Sequence, residues 1–86
     1  MYVILVYDVD VARVNKINKY LKRYLIWIQN SVFEGEINNT LYERMLEGIK
    51  KIISENDSIV IYEFQGKTNF ERTIIGKEKS EISNVI

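Results

Sequence analysis

"IQNSVFEGEI" (residues 28–37) is the stretch whose reading decides the fold. Ile28, Val32, Phe33 and Ile37 favour burial, whereas Gln29, Asn30 and Ser31 interrupt the apolar run. Residues 25–37 are enough for two strands of roughly five residues with a tight turn between them. Asn tolerates left-handed backbone and Ser favours turns, so a hairpin turning near Asn30–Ser31 is one reading. A single long strand with a bulge at the polar residues is the other. The hairpin is favoured, and it would make the chain β-α-β-β-α-β, an α+β fold of the ferredoxin-like arrangement.

The flanking segments fit that order. "YVILVY" (2–7) is a continuous β-branched and aromatic run, the pattern of a central strand covered on both faces. Asp8 follows at its carboxyl end, and Asp10 is placed to cap a helix over 11–24. Val14, Ile17, Leu21 and Tyr24 recur there at helical spacing. "TLYE" (40–43) has the form of a capping box, which predicts a second helix starting near Thr40. Tyr42, Met45, Leu46, Ile49, Ile52 and Ile53 form its apolar stripe, interrupted by Gly48. Residues 54–58 read as a loop, 59–64 as a strand, 65–69 as a turn and 72–76 as another strand. Residues 77–86 read as a charged linker followed by a final edge strand, "ISNVI" (82–86). Tyr2, Tyr20, Tyr24, Tyr42 and Tyr62 lie in apolar patterns and are expected mostly in the core.

The 86 residues make one domain, 1–86, and 47% hydrophobic content is ample for a packed core. A chain this short buries a modest share of its surface, so pairing of two copies is a natural way to bury more. The chain has neither Cys nor His. That removes thiolate chemistry, disulfides and the usual general base near neutral pH. Any catalysis rests on carboxylates, hydroxyls, Lys or Arg, and any metal should be an oxygen-loving cation such as Mg²⁺. Net charge is zero, yet Arg13, Lys16, Lys19, Lys22 and Arg23 fall within 11–24 with no acid among them. Such a stretch suits phosphate binding or is simply a solvated helix face. The start lacks a secretory signal and no apolar run spans a bilayer, so a cytoplasmic protein is expected.

"YDV" (7–9) closing the first strand, a basic helix, and "QNSVFEGEI" (29–37) before a capped helix together resemble the Cas2 family of CRISPR-associated proteins. The resemblance covers essentially the whole chain. It implies a ferredoxin-like fold, a symmetric homodimer and a role in spacer acquisition beside the Cas1 integrase. It also implies metal-dependent nuclease activity on RNA or duplex DNA. The family's metal-binding, catalytic aspartate matches Asp8, an early-helix arginine matches Arg13, and Ser31, Phe33 and Glu34 match its S-x-F-E core. Two positions depart from the pattern: Leu25 follows Tyr24 where the family often has Gly, and Trp27 stands where it often has Arg; Trp27 could stack on a base, but a core or interface position is the favoured reading.

A single carboxylate cannot complete the octahedral oxygen shell of Mg²⁺. In a dimer that apposes the two first-strand ends, Asp8 of each copy could hold one shared ion. The plainer role for Asp8 is electrostatic support of the helix N-terminus. Glu34 and Glu36 read as solvent-facing strand residues, and Asp10 as a cap. Lys16, Lys19, Lys22, Arg23 and Arg13 are the candidate nucleic-acid contacts. Three functions are compatible with these residues: a metal-dependent endonuclease, a non-catalytic DNA-binding scaffold bridging integrase subunits, and a regulatory dimer that binds a small ligand. The last has no glycine-rich phosphate loop to support it.

Overall fold

A computed structural model describes residues 1–66 and 70–77. The opening apolar run forms β1 (Tyr2–Asp8), and Asp10 caps α1 (Val11–Leu21) by accepting the Ala12 N–H at 2.9 Å. There follow β2 (Ile26–Gln29), β3 (Val32–Glu36), α2 (Asn39–Ile52), β4 (Ser58–Phe64) and β5 (Phe70–Gly76). The five strands form one antiparallel sheet in the order β2-β3-β1-β4-β5. The first four strands have the ferredoxin-like arrangement, and β5 extends the β4 edge. The edge strand expected at 82–86 lies outside the described residues.

The polar interruption is resolved as a hairpin. Gln29 pairs with Val32, which leaves Asn30 and Ser31 as the turn. Asn30 has φ 43°, the left-handed region that Asn tolerates better than most residues. The register also shifts between Trp27 and Gln29, so the strand carries an irregularity as well as a turn. The Ser31 carbonyl accepts the Tyr7 N–H at 3.1 Å and ties the turn to the end of β1.

Both helices differ from expectation at one end. α1 stops at Leu21 rather than at residue 24. Arg23 and Tyr24 instead bond back to the carbonyls of Tyr20 and Leu21, tightening the last turn, and Leu25 is then buried. α2 is capped by Asn38, whose side chain accepts the Leu41 N–H at 2.8 Å, and Thr40 sits inside the first turn. The Ile37 N–H is still bonded to the Met1 carbonyl, so Asn38 is the first residue free to leave the sheet. Asn is at least as good a cap as Thr.

Alternation along the strands sorts the sheet into two faces. Val3, Leu5, Tyr7, Phe33, Ile59 and Ile61 are buried with Ile17, Leu21, Tyr42, Met45 and Ile49 of the helices. Gly48 admits Tyr20 between the helices: a Cβ there would lie 1.9 Å from the Tyr20 hydroxyl, which bonds to the Arg44 and Met45 carbonyls at 3.2 Å. The opposite face carries Val32, Val6, Val60 and Ile74 in one row across four strands, all half-buried. Of the five tyrosines expected in the core, only Tyr42 is fully buried; Tyr2 is exposed and the other three are half-buried. Tyr2 is on the uncovered face, where its hydroxyl donates to Glu34, and that bond raises the phenol's pKa.

Candidate functional site

Asp8 ends the central strand, paired with Ser58 of β4, and its side chain is exposed. It borders two clefts at this end of the sheet. One, of about 330 Å³, is walled by Asp10, Arg13 and the loop before β4. The other, of about 370 Å³, is walled by Tyr7, Val14 and the Asn30–Ser31 turn.

The floor of the first cleft is an ion pair that joins distant parts of the chain. Asp57 is 1% exposed. Arg13 reaches it from α1 through Nε at 2.6 Å and Nη2 at 3.1 Å, a two-pronged contact. The backbone N–H groups of Asp10 and Ser54 also donate to it, at 2.9 and 2.8 Å. The Arg13 guanidinium, helped by those two N–H groups, holds the Asp57 carboxyl well below the usual carboxylate range against the opposing effect of burial. The same bond raises the Arg13 pKa. Gly76 makes room for this corner. Its φ is 96°, and a Cβ would fall 2.2 Å from the Asp57 carbonyl oxygen, which accepts the Lys77 N–H at 3.0 Å.

Asp57 was not anticipated from the sequence, where it sits in an ordinary polar loop; its partner is 44 residues away. Glu63 was also missed. It is 8% exposed and accepts the hydroxyls of Tyr42 and Thr73, each at 2.5 Å. Burial, followed by this bond, raises the Tyr42 pKa. A signal for Glu63 existed: it has the strand parity of the buried Ile59 and Ile61.

The expected site residues do not all converge. Asp8, Arg13 and Ser31 lie around the clefts, with Arg13 committed to Asp57. Phe33 is in the core, and Glu34 is half-buried on the uncovered face. Lys16, Lys19, Lys22 and Arg23 are exposed along α1 and its closing turn. Lys22 Nζ lies 5.1 Å from the Trp27 ring centre, and Arg23 lies over Tyr20 and Tyr24.

No group of three or more acidic side chains able to hold a metal occurs among the described residues. Asp10 is engaged as a cap and Asp57 as the partner of Arg13, and the exposed Glu55 lines the first cleft together with Asp8.

Fold and site thus define a small ferredoxin-like α+β protein with an acidic residue at the carboxyl end of its central strand. The chain matches the family described as CRISPR associated protein Cas2 over residues 1–72. It is 51% identical to the CRISPR-associated endoribonuclease Cas2 of Methanocaldococcus jannaschii, over all of this chain and 76% of that protein. It is 49% identical to the protein of the same name from Pyrococcus furiosus, over the full length of both. A solved structure described as a crystal structure of Cas2 superposes with a TM-score of 0.75 at 48% identity, over 100% of this chain and 98% of the other. A hypothetical protein from Thermus thermophilus gives 0.70 at 27% identity, over 79% of this chain and 85% of the other. The chain belongs to the Cas2 family of CRISPR-associated proteins.

Proposed function

We propose that this protein acts in CRISPR spacer acquisition beside the Cas1 integrase, and that it hydrolyses phosphodiester bonds in RNA at a site built on Asp8. The relatives named endoribonucleases support the substrate class. The observation that carries the site is the exposed Asp8 carboxylate between two clefts at the end of β1.

The described residues of one protomer gather no cluster of acidic side chains that fills a Mg²⁺ shell. A homodimer that apposes the two β1 ends supplies two carboxylates, and Asp8 of each copy would then hold one divalent ion. Such an ion, when bound, polarises a phosphoryl oxygen and makes a water more acidic. The chain's own contribution is to present Asp8 on a rigid central strand. The Arg13–Asp57 pair fixes the helix that follows, so Arg13 acts in positioning Asp8. The uncovered row Val32, Val6, Val60 and Ile74 gives the dimer an apolar seam.

The test is cleavage of a labelled single-stranded RNA with Mg²⁺ and with EDTA. Asp8→Asn should lose metal-stimulated cleavage and remain a dimer by light scattering. Equal cleavage by both proteins, from preparations free of contaminating nuclease, overturns the assignment.

A second reading is a non-catalytic scaffold that holds duplex DNA between integrase subunits. It is favoured by the exposed cations Lys16, Lys19, Lys22 and Arg23, which contact phosphate without reading sequence. Spacer acquisition by Asp8→Asn separates the two: it persists under the scaffold reading and stops if cleavage is required.

A further inference from the structure

Trp27 has no place in the reading above, and it is the chain's single tryptophan. It lies on β2, the edge strand, and is 48% exposed, so it is not a core residue. Its orientation is nevertheless set. The indole N–H donates to the Asn30 carbonyl at 2.9 Å, and the Lys22 ammonium lies 5.1 Å from the ring centre. The same Asn30 belongs to the turn that walls the Asp8 cleft of about 370 Å³. An exposed aromatic ring, with a cation over one of its faces, is therefore joined through one turn to a carboxylate-bearing cleft.

We propose that Trp27 is a stacking platform for one unpaired base of a single-stranded nucleic acid whose backbone runs toward the Asp8 cleft. Stacking needs an accessible π-face, which an unpaired base offers and a base inside a duplex does not. Lys22 neutralises a phosphate of the stacked nucleotide, and the ring's fixed edge reduces the ordering cost of binding. Because every base has a π-face, the platform is tolerant of sequence. The proposal deepens the nuclease reading and rests on it: it names Trp27 as a residue that positions a single strand at the Asp8 cleft.

The single tryptophan makes the test direct. Indole emission of the whole protein is followed in EDTA while a single-stranded RNA is added, and binding is followed independently by anisotropy of the labelled strand. Emission should be quenched in step with binding. A duplex RNA, or an abasic strand of the same length, should bind through phosphates without that quenching. Trp27→Ala should weaken single-strand binding roughly fivefold or more and leave duplex affinity unchanged, with Trp27→Phe intermediate. Binding without quenching overturns the platform while leaving the nuclease reading intact. No binding of any strand in EDTA overturns the platform, and the cleavage assay with Mg²⁺ decides the nuclease reading separately. Emission that follows protein concentration rather than RNA makes Trp27 part of a contact between copies and overturns the proposal. The quenching measured on the unaltered protein decides the matter even if Trp27→Ala does not fold.

Discussion

The carboxylate of Asp57 and the guanidinium of Arg13 meet in a two-pronged pair, at 2.6 and 3.1 Å, beneath the loop that follows Asp8. The pair ties the start of α1 to the start of β4, and the Asp10 N–H donates to the same carboxylate. The backbone that follows the candidate catalytic residue is thereby held by one buried group.

Removing that group should be costly. Asp57→Ala leaves Arg13 half-buried without its partner and strips two backbone N–H groups of their acceptor. Breaking a buried pair costs about 3–5 kcal/mol, and partial exposure of Arg13 should reduce this to roughly 2–4 kcal/mol. The urea midpoint measures it, and a loss below about 0.5 kcal/mol would show that the pair contributes little.

The pair also predicts an acid limb. The native pKa of Asp57 is depressed, so its contribution is fully present above the unfolded value of about 4. It declines as pH falls below that value and is gone once pH lies below the native pKa. Stability measured from pH 7 down to pH 2 should show this decline, and Asp57→Asn should show a shallower one from a lower starting point. Parallel curves for the two proteins would contradict the assignment.

The helix caps can be separated by substitution. Asn38→Ala should cost about 1 kcal/mol, the usual worth of an N-cap. Thr40→Ala should be close to neutral, since Thr40 is already inside α2 and Ala is the better helix former. Thermal unfolding of both variants is sufficient, and a larger loss at Thr40 would restore the capping-box reading.

The uncovered sheet face should be closed by a second copy. Val6→Asp places a charge in the middle of the row Val32, Val6, Val60 and Ile74 and should give a folded monomer. Light scattering at micromolar concentration measures it. A monomeric parent, or a variant that stays dimeric, would show that this face is not the seam.

Much of the fold is legible in the sequence. The strand at 2–7, the cap at Asp10, the place of Asp8 and the hairpin all follow from rules that act over a few residues: side-chain periodicity, cap chemistry and the left-handed tolerance of Asn. What required the tertiary structure were the partners of charges. Arg13 reads as a phosphate contact in a basic helix, and only the fold shows its bond to Asp57, because β4 returns beside β1 and brings the two within reach. The same return buries Glu63 beneath Tyr42, where strand alternation marks only its face and not the hydroxyls that satisfy it. Trp27 likewise reads as a departure from a family pattern, and only the turn at Asn30 and the end of α1 show how its ring is held. Local propensity acts through neighbours in the chain, whereas an ion pair or an anchored ring depends on groups that meet only once the sheet has closed.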